Sequence, residues 1–192
     1  MARESTRSKV HAAVLSLAHE SGLGAVTMEG IAARAGVSKQ TLYRSWDSTG
    51  SILFDALLAR SVDAGGEVAV PDSGDLSNDL RALATGMIAE LTDPAHERLL
   101  RAVTAELQAD DGLADRFREL LLVPQQSAIV DRFRRADVAA PDDVAELFVA
   151  PIFHRWLLRS RPFCEAWVTA HVERIVRLAE HAATPGLPRR EG

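Results

Sequence analysis

Apolar residues recur at helical spacing along almost the whole chain, and only Val68-Ala-Val70 resembles the alternation of a strand. Val10, Ala13, Val14, Leu17 and Ala18 fall at i, i+3, i+4, i+7 and i+8, and Gly22 offers a left-handed stop beyond them. This predicts a first helix over residues 5–21. Thr27 and Gly36 then bracket residues 28–35 as hydroxyl cap and glycine terminator, predicting a helix of barely two turns. Ser38 caps a second short helix over residues 39–46. Isolated helices below ~12–15 residues barely form in water, so packing on neighbours must hold both. Ser48 opens a longer helix through Ile52, Leu53, Ala56 and Leu57 to about residue 64.

Glycines, acids and Pro71 across residues 65–75 mark a loop. Leu76, Leu80, Leu83, Ala84, Met87, Ile88 and Leu91 form the next stripe, and Asp93-Pro94 predicts the cap and first position of a helix with Leu99, Leu100, Val103 and Leu107. Asp110-Asp111-Gly112 separates it from a segment carrying Leu113, Phe117, Leu120, Leu121, Ile129, Val130 and Phe133, which Pro124 should kink or interrupt. A further helix opens at Ala140-Pro141-Asp142-Asp143, with acids where the macrodipole favours them. It runs past Trp156 with a bend expected at Pro151, and Arg161-Pro162 ends it. A last helix over residues 163–183 carries Val168, Val172, Ile175, Val176 and Ala179, with more apolar bulk at Phe163, Trp167 and Leu178. Residues 185–192 predict a disordered tail. The fold class that follows is all-α.

Composition narrows the function. The 192 residues are 47% hydrophobic and 26% charged, an ordinary globular balance with core enough for one or two domains. A net charge of −5 excludes a polycation that coats nucleic acid indiscriminately. That charge is unevenly placed: residues 1–50 hold six bases and four acids, and the remainder holds 16 bases and 23 acids. A mildly basic head on an acidic body suggests two tasks in one chain. The single cysteine, Cys164, excludes an intrachain disulfide framework and a multi-cysteine metal cluster, and reads as a small apolar side chain on a helix. No run approaches the ~18 apolar residues of a membrane helix, and the polar start is unlike a signal peptide, so a cytoplasmic protein without a membrane partner is expected. Neither Cys164-Glu165 nor His171-Val172-Glu173 belongs to a nucleophile motif, phosphate loop or metal-ligand spacing. An enzyme, a cofactor and a metal are therefore not expected.

Two short helices joined by Ala35-Gly36-Val37-Ser38 have the form of a helix-turn-helix. Ile31, Ala32, Ala35, Val37 and Leu42 supply its apolar seam. Lys39, Gln40, Thr41, Tyr43 and Arg44 are left as a donor-rich surface of the kind that phosphates and base edges in a DNA groove require. The run from Thr27 to Trp46, with a helix before it and Ser48-Thr-Gly-Ser-Ile-Leu53 after it, strongly resembles the N-terminal DNA-binding domain of TetR-family transcriptional repressors. The match covers roughly residues 8–57 and is most specific in Ile31-Ala32, Ala35-Gly36-Val37-Ser38 and Thr41-Leu42-Tyr43. The rest resembles the family in architecture, and Ala150-Pro151-Ile152-Phe153-His154-Arg155 before a last apolar helix looks like the C-terminal part of some members.

The resemblance implies a helix-turn-helix domain over residues 1–50, joined through a helix at 48–64 to a helical effector-binding and dimerisation domain over residues 51–184. It further implies a homodimer on a palindromic DNA operator, released by a small apolar effector. Carried over by position, Thr27, Ser38, Lys39, Gln40, Thr41, Tyr43, Arg44 and Thr49 would contact DNA, and Trp46 would pack the domain. Thr49 stands where members often carry lysine, and Asp47 where proline is common. These departures leave a rival reading, a helical ligand-binding or interaction protein with a degenerate head. Arg3, Arg7 and Lys9 are expected to compensate as an N-terminal arm. In the body, Met87, Leu91, Val103, Phe117, Leu121, Phe148, Phe153 and Trp156 are the candidate effector pocket, with His96, His154 and Arg155 as polar groups. Trp167, Val168, Val172 and Ile175 are the candidate dimer interface, since a helix apolar on two sides is central in its own fold or half of an interface.

Overall fold

The computed structural model describes residues 2–21, 26–61, 70–94 and 96–182. In chain order the helices are α1 (Ala2–Ser21), α2 (Met28–Ala35), α3 (Lys39–Tyr43), α4 (Thr49–Ser61), α5 (Leu76–Thr92), α6 (Glu97–Glu106), α7 (Asp111–Phe117), α8 (Val123–Arg135), α9 (Pro141–Leu158) and α10 (Glu165–Ala182). A π-helical turn, Arg118–Leu122, links α7 to α8. No strand occurs among the described residues, and the all-α expectation holds. The stop at Gly22, most of the Val68-Ala-Val70 alternation and the tail at 185–192 lie outside the described residues.

The helices form two compact units, residues 1–67 with 93–123, and residues 68–92 with 124–192. In the first, Val10, Val14, Ile31, Leu42, Ile52 and Phe54 are fully buried. They share one core with Leu99 and Val103 of α6, Leu113 of α7 and Leu121 of the π turn. Each large apolar side chain buried this way contributes about 1.5–3 kcal/mol, which stabilises helices too short to stand alone.

Local capping follows the sequence closely at three points. The Thr27 hydroxyl accepts from the Gly30 N–H at 3.1 Å, the Ser38 hydroxyl from Thr41 at 3.1 Å, and the Ser48 hydroxyl from Ser51 at 3.1 Å. Gly36 terminates α2 at φ 67, a left-handed conformation that costs other residues steric strain.

Elsewhere the boundaries differ. The first helix starts at Ala2, so residues expected as an arm form its first turns. The helix expected at Asp93-Pro94 starts at Glu97: the Asp93 carboxylate accepts from the His96 N–H at 2.9 Å, holding a turn ahead of the helix. Pro124 does not interrupt the helical path. Its missing N–H is accommodated by the π turn before it, in which Val123 donates to the Arg118 carbonyl, five residues back. The ninth helix ends at Leu158, with Arg159 left-handed at φ 50, rather than at Arg161-Pro162. Cys164 is exposed and precedes α10, instead of being an apolar residue on a helix; its carbonyl accepts from Trp167 and Val168.

In the second unit α10 lies against α5 and α9. Leu80, Phe133, Phe148, Ile152 and Val172 are fully buried. Arg132, itself 2% exposed, crosses to Asp79 through Nε at 2.8 Å and Nη2 at 2.7 Å. Burial pushes the Asp79 carboxyl up, but the Ser73 hydroxyl and amide and the Arg132 guanidinium outweigh it and hold the group below its ordinary value.

Candidate nucleic-acid interface

The five residues of α3 divide by face. Leu42 is fully buried and fixes the helix to the core, while Lys39, Gln40 and Tyr43 are exposed, Tyr43 to 52%. Arg44, the C-cap, is exposed beside them. The Ser38 and Thr41 hydroxyls lie 2.9 Å apart, so these two expected DNA-facing side chains also order the start of the helix. Lys39 Nζ lies 2.5 Å from Glu29 of α2, an exposed pair that water weakens and DNA phosphates would have to displace. That contact lowers the Glu29 carboxyl, chiefly through its hydrogen bond from Lys39. Thr27 stands at the N-terminus of α2 and Thr49 at that of α4, half-buried.

Beneath this surface lies an anchor that the sequence did not reveal. Asp55 of α4 is 8% exposed. It accepts from Arg7 Nε at 2.8 Å and from the Trp46 indole N–H at 3.1 Å, and lies 3.0 Å from His11 Nε2. Burial pushes the carboxyl up, but hydrogen bonds with His11, Arg7 and Trp46 and the Arg7 charge prevail and hold it well below the usual carboxylate range. One side chain therefore ties α1, α4 and the residues that follow the recognition helix. Its signal is an acid set in the apolar run Ile52-Leu53-Phe54-Asp55-Ala56-Leu57. Arg7 is engaged here and is no free arm for phosphate.

Gly50 of α4 lies close against side chains of α6 and α7. A Cβ there would meet Glu106 Oε2 at 3.1 Å and Leu113 at 3.3 Å.

Of the candidate pocket residues, Val103 and Leu121 are buried in the core of the first unit, and Phe117 packs there against Phe54 with ring centroids 5.9 Å apart. In the second unit Leu91, Phe148 and Trp156 are buried, Met87 is half-buried and Phe153 is 40% exposed. Of the candidate interface residues, Val168, Val172 and Ile175 are buried within their own chain, on the face of α10 that packs into its own unit. Trp167 is half-buried and stacks on His171 at 4.9 Å, with the Arg155 guanidinium 4.3 Å from its ring centroid. His171 donates through Nε2 to the Phe148 carbonyl at 2.8 Å; burial lowers its pKa most, and the Arg174 and Arg155 charges add to that against the carbonyl bond. A cleft of about 540 Å³ beside this stack is lined by Leu147, His154, Arg155, Trp167 and Leu178 among others. His96 belongs to the other unit.

A capped two-turn helix, a left-handed glycine and a short helix that exposes donors over one buried leucine make a helix-turn-helix. The sequence profile described as "Bacterial regulatory proteins, tetR family" matches residues 11–56, and "Tetracyclin repressor-like, C-terminal domain" matches residues 70–175. The chain belongs to the TetR family. It is similar to the uncharacterized HTH-type transcriptional regulator YdeS of Bacillus subtilis, 28% identical over 169 residues that cover 82% of this chain and 83% of YdeS. With the HTH-type transcriptional regulator AqdR of Rhodococcus erythropolis it shares 34% identity over 95 residues, 50% of this chain and 44% of AqdR. Among solved structures, the TetR-family regulator SCO0332 superposes with a TM-score of 0.68 at 28% identity, covering 90% of this chain and 97% of that one. As a TetR-family transcriptional regulator, the chain combines an N-terminal DNA-binding domain with a C-terminal ligand-binding domain. No helix among the described residues is long and apolar enough to cross a membrane.

Proposed function

We propose that this TetR-family regulator is a repressor, which binds a palindromic operator as a homodimer and is released by a small apolar effector. The donor surface of α3 carries the reading: Lys39, Gln40, Tyr43 and Arg44 stand outward on a helix fixed by Leu42. Lys39 and Arg44 supply phosphate or base contacts and Gln40 an amide for a base edge, with Thr27, Ser38, Thr41 and Thr49 adding hydroxyls. Two such helices reach successive major grooves when their half-sites lie about 34–36 Å apart.

Dimerisation through α9 and α10 is supported by large apolar residues left exposed there, Leu147 at 52%, Leu158 at 64% and Leu178 at 40%, with Trp167 between the two helices. The effector is assigned to the helical body, whose Met87, Leu91, Phe148, Phe153 and Trp156 supply an apolar and aromatic lining. Effector and operator favour different conformations of the dimer, so each weakens the binding of the other by the same factor.

A gel-shift against the protein's own upstream region tests the reading. Specific binding that weakens with salt is expected, and its absence at low salt would favour a ligand-binding protein with a degenerate head. An effector found by thermal shift should lower operator affinity; one that raises the melting temperature and leaves that affinity untouched would refute the coupling.

A further inference from the structure

A second cleft, of about 640 Å³, lies behind the recognition helix and is lined from four elements of the first unit. Arg7 reaches it from α1, Thr41 and Arg44 from the recognition helix and its cap, Asp55 from α4, and Arg116 from α7. Three guanidinium groups thus face one carboxylate. Asp55 is fully engaged by Arg7, His11 and Trp46, so it compensates neither Arg44 nor Arg116. Among the described residues no carboxylate lies within ion-pairing distance of either. The Arg116 guanidinium sits 5.7 Å over the Phe54 ring, which orients it without neutralising it. Ser45 also lines the cleft, as does Thr41, whose hydroxyl lies 2.9 Å from that of Ser38.

Two planar forks without carboxylate partners, lining one concave space, supply the paired N–H donors by which phosphate oxygens are held. We infer that this cleft binds a phosphate-class anion through Arg44 and Arg116. The oxygens come either from a free phosphorylated small molecule or from the DNA backbone. A free anion would occupy Arg44 and Thr41 and withdraw them from DNA, which gives the head a control separate from any effector bound in the body.

The experiment uses the full chain with inorganic pyrophosphate as probe, followed by calorimetry, and a random-sequence duplex titrated over a range of salt. A free-anion site gives saturable pyrophosphate binding that Arg116→Gln weakens by about tenfold or more. A backbone site gives no pyrophosphate binding; instead Arg116→Gln reduces the slope of log K against log salt by about 0.9 for each phosphate it no longer neutralises. Arg118→Gln removes the same charge from an arginine paired with Asp115 outside the cleft, and should leave both readouts unchanged. Ser45→Glu, at an exposed position, brings a carboxylate to the rim and should abolish whichever binding the wild type shows, independently of any folding defect in Arg116→Gln. The inference is overturned if neither readout responds to Arg116→Gln or Ser45→Glu, or if Arg118→Gln acts as strongly as Arg116→Gln. The pyrophosphate arm does not depend on repressor function: a wild type that binds pyrophosphate but no duplex would count against that function alone, and one that binds neither would overturn the inference too.

Discussion

Replacing Asp55 by alanine should loosen the recognition helix without touching its DNA-facing surface. The carboxylate serves three partners of unequal exposure. Trp46 is 8% exposed, so an indole N–H left without an acceptor costs about 1–3 kcal/mol. The His11 side chain is 13% exposed and loses a hydrogen bond worth about 1 kcal/mol. Arg7 is half exposed and can rehydrate, so its share is at most ~1 kcal/mol. The expected loss is about 3 kcal/mol, a melting temperature lowered by roughly 6–12 °C for a chain of this size. Because the Asp55 carboxyl lies below its ordinary range, its contribution is complete above the unfolded value near ~3.9 and disappears as pH falls beneath it. Urea unfolding followed by circular dichroism should therefore show Asp55→Asn flattening the part of the acid limb below about pH 4 that this site contributes. If Asp55→Ala melts with the wild type, or if wild type and Asp55→Asn lose stability in parallel from about pH 5 to about pH 3, the anchor does not act as described.

Lys39→Ala should weaken duplex binding and lower its salt slope by about 0.9 per phosphate left unneutralised, whereas Glu29→Gln, which frees Lys39 from its intramolecular partner, should strengthen binding in the same gel-shift series. Gly36→Ala should cost about 1 kcal/mol by chemical denaturation, since its Cβ meets nothing within 4 Å and only backbone strain at φ +67 opposes it; asparagine there should recover part of the loss. Leu158→Asp should shift sedimentation from dimer to monomer with no fall in melting temperature beyond that due to lost association, because the residue is 64% exposed in the single chain. Arg132→Met should lower the melting temperature by leaving Asp79 buried beside Ser73 without its guanidinium, and a variant as stable as wild type would show that the pair is dispensable.

What can be read from the sequence is local. Thr27, Gly36, Ser38 and Ser48 act within three or four residues of themselves, so their chemistry is legible in place, and the recognition surface follows from them. Asp55 is different: its partners Arg7 and His11 lie 48 and 44 residues away, and only a charge within an apolar run hints at a role. Arg116 shares a cleft with the recognition helix across an even longer stretch of chain. On α10, spacing identifies the apolar positions but cannot say which are satisfied within one chain; Val168 and Val172 are, while Leu178 remains exposed. The start of α6 escapes the pattern because Asp93 caps a turn as readily as a helix.

The first unit is built from two stretches of sequence, and Leu99, Val103, Leu113 and Leu121 lie in the same core as Ile31 and Leu42. The hydrophobic interior of the DNA-binding head is thus completed by residues outside the profile match at 11–56. Chimeras that graft residues 1–60 onto a relative's body would transplant a reading surface without part of its foundation. Recombination among such regulators would preserve operator choice best when α6 and α7 travel with the head, and drift in the body can change how firmly DNA is read without altering a single residue that faces it.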